Sequence, residues 1–488
     1  MSHTASQTTD FSNDPSPQKA LAQKTGLTLV MLCAGVFMVQ LDTTIANMAL
    51  PAIRADFLAP ITGLQWVIDV YVLAFASFLL SAGALGDMIG RKRIFIAGLI
   101  GFTFASILCA LSPSIEALLM GRMLQGIFAS ALIPISLAII STMFAEPRQR
   151  ARAIGLWAGL GGLALATGPV VGGLLVGLLG WRSIFRLNAP IGFVAAFVLM
   201  RLLPQAPTRS THHLDIRGQL LFVIGVAAMT FALIEGNGAG WTSPPILGTL
   251  IMAFAALAAF VVREAHTDQP MLPLAMLRNP VLAVACLVNF AIFFALFTLL
   301  FTMTLYLQGI GRLSAFETGL RFLTLTLPIM VASYVASGLA ARIGAKVPIV
   351  LGASAAMAGL IVLACIPLEA GVATYGWALA LIGIGASFAG APASVAILAS
   401  VAPERAGTAS GIWNTFRQIG AVFGVAVAGM LIGDVATGST DPAPFVSGMR
   451  RALELAAAAN GLAALVALTV MPAGRPRRLP AGEVALRG

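Results

Sequence analysis

The sequence carries little charge for its length. Of 488 residues, only 10% are Asp, Glu, Lys or Arg, whereas 59% are hydrophobic and the mean hydropathy is +0.94. Soluble globular domains contain about 25% charged residues. This scarcity excludes an ordinary soluble domain. Apolar runs of about 20 residues recur between short polar breaks, and this pattern predicts a multi-pass membrane protein.

Cysteine and histidine are also scarce, with four of each. The cysteines, Cys33, Cys109, Cys286 and Cys365, lie far apart inside apolar runs. This spacing suits neither a metal site nor a disulfide framework, and we interpret them as packing residues. The sequence contains no G-x-x-x-x-G-K-S/T loop, which argues against ATP hydrolysis by this chain. With no nucleophile–base or metal constellation either, we expect no enzyme activity, no metal and no cofactor.

Fourteen apolar stretches are predicted to be membrane-spanning helices. They are 27–48, 64–84, 94–112, 116–141, 151–175, 183–203, 216–235, 245–263, 281–307, 318–340, 347–366, 373–399, 407–432 and 449–471. Residues 1–24 are polar, and we expect them to be disordered. No small-residue cleavage site follows the first apolar run, so we expect it to remain as a span.

The net charge of +10 is distributed unevenly among the loops. If the N-terminus is cytoplasmic, most loop cations fall on the cytoplasmic side, with clusters at 91–93, 148–152 and 475–478. The opposite side holds few, namely Arg54, Arg182, Arg312, Arg450 and Arg451. The positive-inside rule then predicts that both termini are cytoplasmic. Because topology accounts for the positive charge, no nucleic-acid partner is expected.

An internal repeat divides the chain. The segment "PRQRARAIGLW" (147–157) is echoed by "PERAGTASGIW" (403–413). Residues 85–92 are echoed more weakly by residues 339–346, at nearly the same distance along the chain. Both copies cross in the same direction, which is typical of transporters with parallel repeats. The predicted divisions are a cytoplasmic N-terminus (1–24), an N-terminal six-helix bundle (25–203), a cytoplasmic linker (204–217), two inserted helices (218–263), a cytoplasmic loop (264–280), a C-terminal six-helix bundle (281–471) and a cytoplasmic tail (472–488).

One short loop between spans 2 and 3 carries unusual chemistry, "GALGDMIGRKRIF" (83–95). It resembles the G-x-L-x-D-x-x-G-R-K signature of the major facilitator superfamily. The matching residues are Gly83, Leu85, Asp87, Gly90, Arg91 and Lys92. The resemblance implies a cytoplasmic gate in which Asp87 pairs across the two halves and holds the outward-facing state. A charged loop that serves topology alone is the alternative.

Further motifs resemble those of the fourteen-span drug:proton antiporters. They are "LDTTIANMALP" (41–51), "GRMLQG" (121–126), "TGPVVGG" (167–173), "WRSIFRLNAPIG" (181–192) and "ASGIWNTFRQIG" (409–420). The span-5 antiporter motif comprises Gly155, Gly168, Pro169, Gly172 and Gly173, and it favours export. Ala164 and Arg186 depart from the family pattern. The implied fold is all-α, with two six-helix halves and two inserted helices.

Three charged residues are predicted at one depth in the membrane. With a rise of about 1.5 Å per residue, Asp42, Asp69 and Arg122 all lie about 8–9 Å from the outer face. Ionisable residues at such depth are functional candidates. A desolvated carboxylate near a movable arginine can bind and release a proton, so these residues are candidates for proton coupling. A static Asp–Arg pair that holds helices together is the alternative.

Candidate substrate contacts come from spans 9 and 13. Phe290, Phe293, Phe294, Phe297 and Phe301 share one face of span 9. Phe294, Phe297, Asn414 and Arg417 are therefore candidates to line a substrate cavity. Packing or lipid contact is the favoured interpretation of the phenylalanines, and a packing or gating role stays open for Arg417. The two acids balance Arg122 and Arg417 in number, so nothing demands a cationic substrate. Roles for Arg186 and Glu235 are left open.

The resemblance implies a secondary exporter in the plasma membrane, the bacterial cell inner membrane. It would expel amphipathic drugs, antibiotics or toxic metabolites in exchange for protons by alternating access. The expected partners are a small lipophilic substrate, protons and the lipid bilayer, and a monomer is compatible with the sequence. Two alternatives stay open: proton-coupled uptake or export of one specific metabolite or siderophore, and a non-transporting membrane sensor.

Overall fold

A computed structural model describes residues 17–144, 146–204, 215–267, 270, 272–367, 371–401, 406–433 and 442–472. In these residues the chain forms fifteen α-helices. They are α1 (Pro17–Phe57), α2 (Ile61–Ile89), α3 (Arg91–Leu111), α4 (Ile115–Met143), α5 (Pro147–Leu179), α6 (Ser183–Arg186), α7 (Asn188–Leu202), α8 (Ile216–Ala239), α9 (Pro244–His266), α10 (Pro280–Leu305), α11 (Ala315–Ile343), α12 (Lys346–Cys365), α13 (Val372–Ser400), α14 (Ala406–Ile432) and α15 (Ala443–Val470).

Fourteen helical segments of the described residues are long and apolar enough to cross a membrane. The short α6 and the longer α7 together form the sixth span, which bends at Leu187. Each predicted span coincides with one of these segments. The main difference is α1, which begins at Pro17, inside the stretch predicted to be disordered, and continues past the predicted end at residue 48. Residues 1–16, 205–214 and 473–488 of the predicted N-terminus, linker and tail lie outside the described residues.

Helix ends follow local capping chemistry. Gly90 separates α2 from α3 with φ 115, a conformation that costs a residue with a Cβ about 1 kcal/mol or more. Ser114 caps α4 by accepting a hydrogen bond from the Ala117 N–H. Ser314 and Glu317 form a capping box at the start of α11. These caps satisfy backbone donors that the first turn of a helix leaves unpaired.

The two halves use the same helix pairings. In the first half α1 packs on α5, α2 and α3 pack on α4, and α3 packs on α7. In the second half α10 packs on α14, α11 and α12 pack on α13, and α12 packs on α15. Each pairing joins equivalent spans, because α10–α15 follow the same order as α1–α7. The all-helical fold with two six-helix halves and two inserted helices, predicted from the sequence, is confirmed.

The halves meet along two equivalent seams, where α5 packs on α11 and α2 packs on α14. The inserted helices α8 and α9 pack on each other, and α8 also packs on α2 and α14 beside the second seam. We call the membrane face at which α2 begins the Gln65 face, and the face at which α2 ends the Asp87 face.

The halves are joined at the Gln65 face. Gln65 on α2 donates hydrogen bonds to the carbonyls of Val425 (3.3 Å) and Ala426 (2.9 Å) on α14. Gln308, in a π-helical turn that follows α10 (Tyr306–Ile310), donates to the Met48 carbonyl of α1. These bonds tie each half to the other in the same part of the molecule.

Near the Asp87 face the space beside the seam helices is open. A Cβ at Gly83 of α2, at Gly155 of α5 or at Gly338 of α11 would have no neighbouring atom within 4 Å. The first turns of α5, unlike its second half, are largely exposed. The structure is therefore closed at the Gln65 face and opens between the halves toward the Asp87 face.

Candidate transport site

Asp42 and Arg122 form a buried ion pair in the first half. Arg122 Nη1 lies 2.5 Å from Asp42 Oδ2, and both side chains are 0% exposed. Arg122 also donates through Nε to the Val67 carbonyl, and its guanidinium stacks 4.1 Å from the centroid of the Tyr71 ring. A buried ion pair is stable only when its remaining groups also have partners. The pair links α1, α4 and α2.

Uncharged polar side chains surround the carboxylate of Asp42. Asn188 donates to Asp42 Oδ1 at 3.1 Å and to Ser106 Oγ at 2.9 Å. Gln125, one turn after Arg122 on α4, accepts from Arg122 Nη1 at 2.9 Å and donates to Ser106 Oγ. Asn188 is the first residue of α7, so the bend in span 6 brings its amide to Asp42. This network gives both carboxylate oxygens of Asp42 a hydrogen-bond partner.

Asp69 is buried without a partner. Its side chain is 0% exposed, and within the described residues neither carboxyl oxygen accepts or donates a hydrogen bond. Val67 and Tyr71, which contact Arg122, lie two residues to either side, about 200° around the axis of α2. Asp69 instead shares the face of Gln65, one turn earlier, which contacts α14. The structure therefore separates Asp69 from Arg122.

Arg417 lies at the centre of the contact between the halves. It is 9% exposed, donates through Nη2 to Gln40 Oε1 of α1 at 3.0 Å, and lies 5.1 Å from the centroid of the Phe293 ring. Asn414, one turn earlier, donates to the Ser410 carbonyl of its own helix. Arg417 therefore reaches from α14 to α1, the helix that carries Asp42.

The predicted aromatic stripe on α10 divides into two parts. Phe294, Phe297 and Phe301 are buried in packing, with exposures of 6% or less. Phe290 and Phe293 are partly buried, and Phe293 contacts Arg417. The packing interpretation fits the first three, whereas Phe293 lies beside the central cation.

The gate-loop residues meet only within the first half. Arg91 binds Asp87 through Nε (2.9 Å) and Nη2 (2.8 Å) and donates through Nη1 to the Ala138 carbonyl of α4. Lys92 donates to the Met200 carbonyl of α7. Gly83 and Gly90 lie before and at the turn. The pairing of Asp87 across the halves, implied by the sequence resemblance, is absent among the described residues in this open arrangement.

The antiporter-motif glycines allow α5 to approach two partners. A Cβ at Gly168 would overlap Thr44, and one at Gly172 would lie 2.8 Å from Ile45, so these glycines fit α5 against α1. A Cβ at Gly173 would overlap the Ala315 carbonyl oxygen of α11. Gly319 of α11 has the reciprocal contact, 2.6 Å from the Pro169 carbonyl oxygen. Close approach through small residues is common between membrane helices. The motif therefore closes the seam at the Gln65 face.

The two residues with open roles lie at the edge of the site. Glu235 of α8 accepts a hydrogen bond from Trp66 Nε1 at 2.9 Å, which anchors the inserted pair to α2. Arg186 is exposed at the end of α6. The structure adds Gln40, Ser106, Gln125 and Asn188 to the site, and the sequence reasoning missed all four. Their polar side chains inside apolar spans were the available signal.

These features define a class of protein: a membrane transporter with two six-helix halves around a polar centre, closed at one face. The family model described as the Major Facilitator Superfamily matches residues 32–425. The chain belongs to this superfamily, which is a family of transporters and not of enzymes.

Relatives and solved structures agree with this assignment. The chain is 37% identical to the multidrug resistance protein Stp of Mycobacterium tuberculosis, over 85% of this chain and 77% of that protein. It is 36% identical to the methylenomycin A resistance protein of Streptomyces coelicolor, over 83% of this chain and 86% of that protein. A bacterial homologue of the lysosomal transporter Spinster has the same fold, with a TM-score of 0.66 and 17% identity, covering 93% of this chain and 97% of that structure.

Proposed function

We propose that this protein is a secondary exporter that expels lipophilic drugs or antibiotics in exchange for protons. The observation that carries the proton step is Asp69, a fully buried carboxyl beside the seam that has no hydrogen-bond partner among the described residues. An ionised carboxylate in such surroundings is very costly. Asp69 therefore carries a proton in this conformation and can release it when the seam rearranges.

Asp42 has a different role in this proposal. Arg122 and Asn188 bond its two carboxylate oxygens in this conformation, so we assign it to the structural frame and not to proton transfer. The Asp42–Arg122 pair holds α1, α2 and α4 together as the rigid frame on which Asp69 is mounted. The sequence predicted a proton site of three residues. In this proposal Asp69 alone carries the proton, and Asp42 and Arg122 form a supporting pair.

The two seams support alternating access as the mechanism. The glycines of α5 and α11, with Gln65, close the Gln65 face in this conformation. Rocking of the halves would separate these contacts and bring the two halves together at the Asp87 face. Asp87 could then exchange Arg91 for a partner on the other half. Both charges of that pair are partly exposed, so the pair is weak and easily exchanged.

The relatives favour export as the direction. Two proteins more than 35% identical to this chain are named for multidrug resistance and for methylenomycin A resistance. By that likeness, this protein expels drugs across the bacterial inner membrane. The loop cations favour a cytoplasmic location for the Asp87 face and for both termini, and a monomer is compatible with this proposal.

Efflux of Nile red, a neutral lipophilic dye, from cells that produce the protein tests the proposal. Wild type should lower cell fluorescence, an uncoupler should abolish the effect, and Asp69→Asn should reduce efflux at least tenfold at equal expression. Asp56→Asn is the matched control, because Asp56 forms a partly exposed pair with Arg182. Efflux that survives both the uncoupler and Asp69→Asn would overturn proton exchange.

Proton-coupled uptake is the second candidate function, and a separate experiment distinguishes it from export. In inside-out vesicles an exporter accumulates dye when protons are pumped inward, whereas a proton-coupled importer does not. A sensor would move dye in neither assay, and then export itself would be rejected.

A further inference from the structure

Arg417 is a buried cation on a membrane-spanning helix. Asp42 is paired with Arg122, and Asp69 on α2 has no hydrogen-bond partner in the described part of the chain. No ion pair among the described residues includes Arg417, whose bonded contact is the neutral amide of Gln40. The intramembrane acids and arginines are therefore equal in number, but Arg417 has no acid beside it in the described residues. The centre between the halves carries a positive charge.

Several hydrogen-bond donors on the Arg417 segment of α14 lack an acceptor in the described residues. Arg417 Nε, Gln418 Nε2 and Trp413 Nε1 are buried donors without a partner in the described part of the chain. Trp413 precedes Arg417 by one turn on the same face of α14, and Gln418 is its neighbour in sequence. Buried donors are normally satisfied, so three on one helix segment indicate that an acceptor is missing.

The chemistry of this cluster fits one kind of ligand group. A guanidinium binds a carboxylate through charge-assisted hydrogen bonds, which are stronger than those between neutral groups. Phe293, whose ring centroid lies 5.1 Å from Arg417 Cζ, provides apolar surface beside that charge. A lipophilic cation would instead be repelled by Arg417.

We propose that the central site binds the carboxylate of amphipathic organic acids, with Arg417 as the anion-binding residue. This inference rests on the proposed function and names the substrate class for that site. The carboxylate would bond Arg417 Nε, and the Trp413 indole N–H, one turn earlier on the same helix face, is the second candidate donor. The aromatic or aliphatic body of the acid would lie along α10 beside Phe293.

Binding of one acid and its neutral amide to the full chain tests the proposal. We would titrate 2-naphthylacetate and 2-naphthylacetamide into purified protein in detergent by calorimetry at pH 7.5. The two compounds have the same shape and differ in charge. Wild type should bind the acid at least tenfold more tightly than the amide. Equal affinities, or no binding of the acid at millimolar concentration, would overturn the proposal without any variant.

Two variants then assign the effect to Arg417. Arg417→Gln should remove the preference for the acid, and Arg417→Lys should retain part of it because the charge remains. Arg186→Gln, which removes an exposed arginine that bonds none of the Arg417 cluster among the described contacts, is the matched control and should keep the full preference. Acid preference that persists in a folded Arg417→Gln variant would contradict the assignment.

The failure of this inference is distinct from failure of the proposed function. Nile red is neutral, so its uncoupler-sensitive efflux tests export and proton exchange without reference to charge recognition. Efflux without acid preference would reject only the anion site. Acid preference without efflux would reject only the exporter.

Discussion

Asp42 and Asp69 are both fully buried in the same half, yet among the residues that the structure describes only Asp42 has a cation within bonding distance. The difference arises from where each residue lies around its helix. Asp42 faces Arg122 and Asn188, whereas Asp69 lies on the side of α2 opposite to Val67, whose carbonyl binds Arg122. Asp42 therefore has a cation as its partner, whereas Asp69 has no hydrogen-bond partner within the described residues.

This difference predicts unequal effects on stability. Asp42→Asn leaves Arg122 as a buried charge without a counterion, and breaking such a pair costs about 3–5 kcal/mol. Asp69→Asn replaces a neutral carboxyl with a neutral amide of similar shape, so we expect a change below about 1 kcal/mol. Thermal or SDS unfolding of the purified variants would measure both. Equal losses in the two variants would contradict the assigned protonation states.

The α5–α11 seam predicts a conformational effect at Gly173. Its Cβ would overlap the Ala315 carbonyl, so Gly173→Ala should force the seam apart at the Gln65 face. Gly177→Ala, one turn later, is the control because its Cβ would lie 3.8 Å from Phe316, an ordinary contact.

Thiol labelling can report this opening. Thr318 is 0% exposed beside Gly319 in the seam. A Thr318→Cys reporter should react with a polar maleimide at least tenfold faster in the Gly173→Ala background than with Gly177→Ala. Unchanged labelling would mean that the glycines do not control closure.

Asp215, at the start of α8, predicts a pH dependence of stability. Burial alone raises the pKa of Asp215, but hydrogen bonds from Arg263 and the Gly218 N–H outweigh it and hold the pKa below its usual range. A lowered pKa means that the ion pair stabilises the fold above the ordinary aspartate pKa of about 3.9 and loses this effect as the pH falls through the lowered value.

Asp215→Asn isolates this ion pair, because asparagine keeps the ability to cap a helix. The variant should unfold more easily at pH 7 by about 0.5–1 kcal/mol, the usual contribution of a partly exposed pair. The difference from wild type should shrink below about pH 4. A difference that is constant with pH would show that the charge of Asp215 is not its cause.

The sequence predicted the helices well because their signal is strong and local. Long apolar runs specify spans whatever they pack against, although α1 extends further than its apolar run. Charge depth also predicted that Asp42 and Arg122 lie at one level, and the structure joins them. The depth of a residue in the membrane does not tell which way its side chain points around the helix axis, however. Depth therefore also grouped Asp69 with Arg122.

The partners of these charges could not be predicted in the same way. Asn188 reaches Asp42 because span 6 bends at Leu187, and no periodic pattern signals that bend. Gln40 meets Arg417 across the two halves, from parts of the chain 377 residues apart. The balance of acids and bases along the sequence likewise gave no warning that Arg417 would lack an acid.

The most direct test of the account is proton release from the purified protein. Wild type in weakly buffered detergent solution would be mixed with Nile red while a pH-sensitive dye records the bulk pH. The account predicts that binding releases protons from wild type and from Asp56→Asn, and that Asp69→Asn binds the dye without releasing them. Release from Asp69→Asn equal to that of wild type would contradict the account, because the exchanged proton would then come from another group.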